Sequence, residues 1–116
     1  METLKDYSHI RGVCHNPRLP VDQEQLETEM GYCQRLQLNS LRFWMLMDEW
    51  EKQDDSYFDV LDNFMQTAWR YGVSSIPILW NGNFIREWND PDDAWYEKAE
   101  VYAKAFIDRF HDAPYI

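Results

Sequence analysis

Glycine, cysteine and positive charge are all scarce in this chain. The 4 glycines compose neither GxGxxG nor GxxxxGKS/T, so the nucleotide-binding α/β proteins lose their main sequence signature. The 2 cysteines, Cys14 and Cys33, have neither CxxC spacing nor a matching histidine pair. A disulfide framework or a zinc site is not indicated, and both read as small buried apolar residues. No metal or cofactor is implied. Lys and Arg number 11 against 21 Asp and Glu, a formal net charge of −10 with a sequence pI near 4.5. Such a field repels phosphate backbones and anionic lipid, which excludes nucleic-acid and membrane-surface partners and favours neutral or cationic ligands. No apolar run approaches the roughly 18 residues of a membrane span. The first ten residues lack a signal-peptide core, leaving localisation open between a cytoplasmic protein and a trimmed exported one.

What is abundant is core material. At 45% hydrophobic and 16% aromatic, residues 1–116 make one packed domain rather than a disordered segment. The centre is Asn39-Ser40-Leu41-Arg42-Phe43-Trp44-Met45, which reads as a buried strand carrying one arginine that must find a partner. Before it, Ile10–His15 reads as a strand that stops at the proline-rich turn Asn16–Pro20. Asp22 then caps a helix, Gln25 completes a capping box, and Leu26, Met30, Cys33 and Leu36 line its inner face.

After the Arg42 strand comes an acidic loop, residues 48–55, in which Asp54 or Asp55 caps a second helix starting near Ser56. Tyr57, Val60, Leu61, Phe64, Met65 and Ala68 form its buried stripe, and Gly72 ends it. Residues 75–80 read as a third strand, with a strand start or bulge at Pro77. Asn81-Gly82-Asn83 signals a turn. Asp90 and Pro91 start a third helix that buries Trp95, Ala99, Tyr102, Ala103, Phe106, Ile107 and Phe110. Residues 113–116 read as a fourth strand just beginning.

Strands recurring about 30 to 40 residues apart with helices between them imply a parallel βαβαβαβ sheet. Without a phosphate loop, a barrel arrangement is favoured, α/β of the (β/α)8 TIM-barrel type. The polar and aromatic residues at the strand ends, His15 and Asn16, Arg42 and Trp44, Trp80 and Asn81, would then converge on one rim. Trp69 and Trp95, within helices, read as core.

Four segments, Arg11–Pro17, the run Leu38 to Arg42, Pro77-Ile78-Leu79-Trp80 and Phe110–Ile116, occur in an order and spacing that resembles the first half of a clan A glycoside hydrolase. The cellulase and mannanase-like enzymes of glycoside hydrolase family 5 are the nearest likeness, with the family 2 β-glycosidases second. The resemblance implies that Arg42 stands beside a nucleophilic carboxylate and holds it ionised. It also implies that His15, Asn16, Trp44, Trp80 and Asn81 contact an oligo- or polysaccharide.

Retaining hydrolysis of a β-linked glycan needs two carboxyl groups about 5 to 5.5 Å apart. In the resembled family they come from the fourth and seventh strands, so neither falls within residues 1–116. Asp48 and Glu49 are poor substitutes, better read as solvated. The expectation is therefore an N-terminal fragment of a cellulase- or β-mannanase-like enzyme, inactive alone and completed by a missing C-terminal half-barrel or by self-association. A noncatalytic half-barrel that binds carbohydrate or assembles with itself is the alternative.

Overall fold

The computed structural model describes residues 6–80 and 92–116. The turn expected at residues 81–83 and the helix start expected at Asp90 and Pro91 lie outside them. Three strands, β1 (Gly12–Cys14), β2 (Ser40–Trp44) and β3 (Ser74–Ile78), form a parallel sheet in the order β1-β2-β3. Helix α1 (Gln23–Arg35) links the first two, α2 (Met47–Gln53) and α3 (Asp55–Arg70) link the second pair, and α4 (Asp93–Phe110) follows β3. The expected parallel alternation of strands and helices is present.

Side chains alternate across a strand, so each strand has one face toward the helices and one away. Leu41 and Phe43 of β2, with Met45 just beyond it, are almost fully buried, in one cluster with Leu26, Met30, Phe58, Leu61, Phe64, Met65 and Tyr102 from the helices. Burying each large apolar side chain is worth about 1.5–3 kcal/mol, so this seam dominates stability. Arg42, between Leu41 and Phe43, is exposed. The stretch expected as a buried strand is buried on one face only.

At α1, the Asp22 carboxylate accepts the Gln25 N–H at 3.1 Å, and Leu26, Met30 and Cys33 point inward. The capping box is not reciprocal: the Gln25 side chain donates to Glu29 at 2.9 Å, one turn on. Leu36 is exposed because the helix ends there, and Gln37, at φ 57°, turns the chain toward β2. Gly12 lies so close to β2 that an added Cβ would stand 3.3 Å from the Ser40 carbonyl oxygen.

The acidic stretch expected as a loop is helical from Met47 to Gln53. Met47 and Trp50, three residues apart, turn inward, and Glu49 accepts from Lys52 at 3.0 Å and Gln53 at 2.8 Å on the outer side. Such i,i+3 and i,i+4 pairs support a short helix whose charge suggests a loop. Asp54 sits at φ 49° between α2 and α3, and its side chain caps neither helix.

Helix α3 buries Tyr57, Leu61, Phe64, Met65 and Ala68 as expected; Val60, at the edge of the stripe, is half-buried and Trp69 is exposed. Gly72, at φ 78°, supplies the left-handed residue that follows. Pro77 sits regularly within β3, opposite Phe43, with no bulge. Ser74 N–H and Ile78 C=O bond toward the β2 side, so the N–H groups of the odd residues of β3 are directed to the far edge of the strand and the missing proline N–H removes no bond to β2.

Asp92 caps α4, accepting the Trp95 N–H at 2.9 Å. Ala99, Tyr102 and Phe110 are buried, Trp95, Ala103 and Phe106 partly so, and Ile107 faces out. Residues 113–116 form turns rather than a strand. Even so, the Tyr115 carbonyl accepts the outward N–H of Ser75 at 2.6 Å. The Tyr115 hydroxyl donates to Asp62, which also accepts from Gln66 and Arg109.

Candidate functional site

The face of the sheet turned away from the helices carries the candidate site. Register places Cys14, Arg42 and Ile76 side by side across the three strands, with Trp44 and Ile78 paired two residues further toward the strand C-terminal ends. All five are exposed or half-buried. Parallel sheets almost always have both faces covered. A one-sided sheet bearing arginine, tryptophan and isoleucine therefore presents a surface shaped to be covered.

Arg42 lies over its neighbour on this face: the guanidinium carbon is 5.5 Å from the Trp44 ring centroid. A cation over an indole is worth about 0.5–1 kcal/mol at an exposed site. The guanidinium also makes a weak 3.8 Å contact with the Cys14 sulfur. No carboxylate among the described residues pairs with it within salt-bridge distance. Of the acids that follow β2, Glu49 accepts from Lys52 and Gln53, and Glu51 pairs with Lys98 at 2.9 Å. Glu49, foremost by its hydrogen bonds from Lys52 and Gln53, is held below the usual carboxylate range.

Asn16 joins Arg42 and Trp44 from the end of β1, its side-chain oxygen accepting the Trp44 N–H at 3.2 Å. It ties the C-terminal ends of β1 and β2 together and fixes the backbone beneath the Trp44 ring. At the opposite end, Asn39 works the same way: its amide accepts the Arg11 N–H at 2.7 Å and donates to the His9 carbonyl at 2.8 Å. The asparagine of the Leu38–Arg42 run thus clamps strands.

His15 and Trp80 are placed elsewhere. His15 lies on the helix side, its Nε2 3.0 Å from Glu29 and its ring stacked on Phe64 at 6.1 Å. Trp80, just past β3, meets Trp95 and Tyr102 edge-on at 6.5 and 6.3 Å. Asn81 lies outside the described residues. The structure therefore brings together Arg42, Trp44 and Asn16, while His15 and Trp80 pack against helices.

Sequence reading missed Cys14, Ile76 and Ile78 as members of this face. Cys14 is exposed rather than buried, and Cys33 alone is in the core. The signal was pairing: once Arg42 faces outward, its neighbours across a parallel ladder do too.

Burial leaves two other groups notable. Tyr57 accepts the Leu46 N–H at 2.7 Å, and burial pushes its phenol up to about 12. Tyr102 is displaced further in the same direction by burial, and its hydroxyl finds no hydrogen-bond partner among the described residues. Among the described residues no group of three or more His, Cys, Asp or Glu side chains is placed to hold a metal ion. None of the described helices is long and apolar enough to cross a membrane.

Among the described residues, strand order and helices on one side define the class: a parallel α/β protein with one sheet face left bare. No family model matches the chain, and no curated protein matches it.

Proposed function

We propose that this chain is the N-terminal half of a (β/α)8-barrel glycoside hydrolase that cleaves β-linked glycans with retention, in the manner of cellulases and β-mannanases. One observation carries the reading: β1, β2 and β3 are neighbours in sequential order with the helices of the described residues packed on one side. Right-handed crossovers between adjacent strands, taken always in the same direction, put all helices on one face and curl the other inward. A doubly wound sheet reverses direction and covers both faces.

On this reading the bare face is the barrel interior, and its C-terminal rim holds Arg42, Trp44 and Asn16. Arg42, still without a carboxylate, is a cation awaiting the nucleophile of a later strand. Its charge would keep that carboxylate ionised. Trp44 supplies an apolar plane for a pyranose ring, and Asn16 holds it in place. Both catalytic carboxyls belong to the remaining half, so residues 1–116 alone do not hydrolyse glycans.

The decisive experiment is to read the coding frame beyond Ile116 and assay the longer product on β-mannan and β-glucan. An Asn-Glu pair within about ten residues, one strand length, together with hydrolysis, supports the proposal. A stop codon at that point, with a native mass matching 116 residues, defeats the enzyme reading for this polypeptide.

The exposed Arg42–Trp44 pair also favours a second reading, a noncatalytic half-barrel that binds carbohydrate or assembles with itself. Titration with cello- and manno-oligosaccharides would quench tryptophan fluorescence, and light scattering would report a dimer. A monomer indifferent to both sugars removes this reading.

A further inference from the structure

The ladder that gives Arg42 its neighbours also isolates it electrically. Alternation places Gly12, Ser40 and Ser74, then Cys14, Arg42 and Ile76, then Trp44 and Ile78 on the bare face, so Arg42 is the one charged side chain among these strand residues. It is exposed, and no carboxylate among the described residues stands within salt-bridge distance of it. A guanidinium has five N–H donors in a planar fork. The 3.8 Å contact with the Cys14 sulfur leaves most of that fork open, 5.5 Å from the centroid of the Trp44 ring.

Covering this face decides what the ligand must carry. Any body laid on it takes Arg42 partly out of water, and a cation covered without a counter-charge is strongly penalised. A neutral glycan brings only hydroxyls. A sugar oxidised at C6 brings a carboxylate whose two oxygens match the fork, on the same residue whose ring can lie against Trp44. The net charge of −10 opposes a dianionic phosphate more than a carboxylate of unit charge. That distant field is screened beyond about 8 Å at physiological salt, so the nearer charge governs here. We infer that the Arg42–Trp44 face binds acidic glycans, a β-linked uronic acid residue stacking its ring on Trp44 and pairing its carboxylate with Arg42. The inference rests on the second reading above, a half-barrel that binds carbohydrate, and names its ligand class.

The test is a proton–nitrogen NMR titration of the intact chain, followed at the Trp44 indole N–H and the Cys14 and Ile76 amides. The probes are cellotetraose, its counterpart oxidised at every C6 to β-linked glucuronate, and tetraglutamate. At about 20 mM salt the uronate is expected to bind with a dissociation constant on the order of a millimolar, about fivefold more tightly than cellotetraose. Raising the salt to about 0.5 M should narrow the gap to about twofold. Tetraglutamate, with carboxylates but no pyranose ring, should give no saturating shift at the Trp44 indole. Arg42→Gln should bring the two sugars to one affinity; if that variant loses its dispersed spectrum, the salt series on the parent decides. Equal affinity of the parent for both sugars, or tighter binding of cellotetraose, overturns the inference and leaves the carbohydrate reading standing. A preference that survives in a folded Arg42→Gln, or a gap that salt does not narrow, also overturns it, as does tetraglutamate binding as well as the uronate. A parent that binds neither sugar at about ten times the expected constant removes the carbohydrate reading and the inference together.

Discussion

Replacing Asp62 by asparagine should loosen the C-terminal segment in a pH-dependent way. Burial alone would raise the Asp62 carboxyl, but hydrogen bonds from Tyr115, Gln66 and Arg109 outweigh it and hold the group below the usual aspartate range. A carboxyl lowered by folding contributes stability above its unfolded value, near 3.9, and that contribution is lost as pH falls through the folded value. An asparagine amide oxygen in place of Oδ1 still accepts from Tyr115 and Gln66, but the N–H₂ that replaces Oδ2 turns a donor toward Arg109. A hydrogen bond to a charged group contributes about 1.5–3 kcal/mol, and losing the charged character of several while keeping their shape should cost about 1.5 kcal/mol. For a domain of this size that is roughly 5–8 °C in melting temperature.

The assay is thermal unfolding by circular dichroism at pH 7 and at steps down to pH 3, comparing parent, Asp62→Asn and Tyr115→Phe. The gap between parent and Asp62→Asn should close as the acid range is entered. Tyr115→Phe, with Asp62→Asn in a double cycle, should show coupling. A gap that is the same at pH 7 and pH 3, or a melting point within about 1 °C of the parent at neutral pH, would refute the account of Asp62 as an ionised anchor.

Four further outcomes are expected. Arg42→Ala should leave the melting temperature of this chain within about 2 °C, since no carboxylate is orphaned by it; a large loss would make it a structural residue. In the longer protein proposed above, the same change should lower turnover far more than substrate binding, and equal losses of activity and stability would count against the electrostatic role. Ser75→Ala should stabilise by about 1 kcal/mol, because the buried Ser75 hydroxyl has no hydrogen-bond partner among the described residues; a lower melting point would show a hidden bond. A thiol reagent should modify Cys14 at once and Cys33 only on unfolding, so rapid reaction of both would contradict the packing of α1.

The elements that read clearly from sequence are those whose burial is one-sided and periodic. The stripe of α3 and the inner face of α1 up to Cys33 repeat every three or four residues, which few alternatives can mimic. Leu36 follows the same period and still ends up exposed, because the period carries no information on where the helix stops. The residues 47–53 failed for the opposite reason. Their charge suggested a loop, but two aromatic and thioether anchors, Trp50 and Met47, with one Glu49-centred set of side-chain bonds, suffice for two turns.

Arg42 was legible as a residue needing a partner, but its direction was not. Strand alternation gives two equivalent choices until the helices choose one. That choice also decided Cys14, which pairs with Arg42 and so could not be core once Arg42 faced outward. His15 was separated from the face by the same arithmetic, one residue further along β1. Trp69 failed as a core residue because it follows Ala68, which takes the inward position at that turn of α3.

Pro77 makes the two margins of this sheet unequal. The outward N–H groups of Gly12 and Cys14 on β1 take no bond among the described residues, while on β3 the outward N–H of Pro77 does not exist and that of Ser75 is occupied by Tyr115. A strand arriving at β1 finds free donors there. One arriving at β3 must first evict the Tyr115 carbonyl and then skip a rung. Lateral growth by edge pairing is thereby polarised: the molecule is receptive at its first strand and guarded at its third, and chains meeting in solution would add through the β1 margin or not at all.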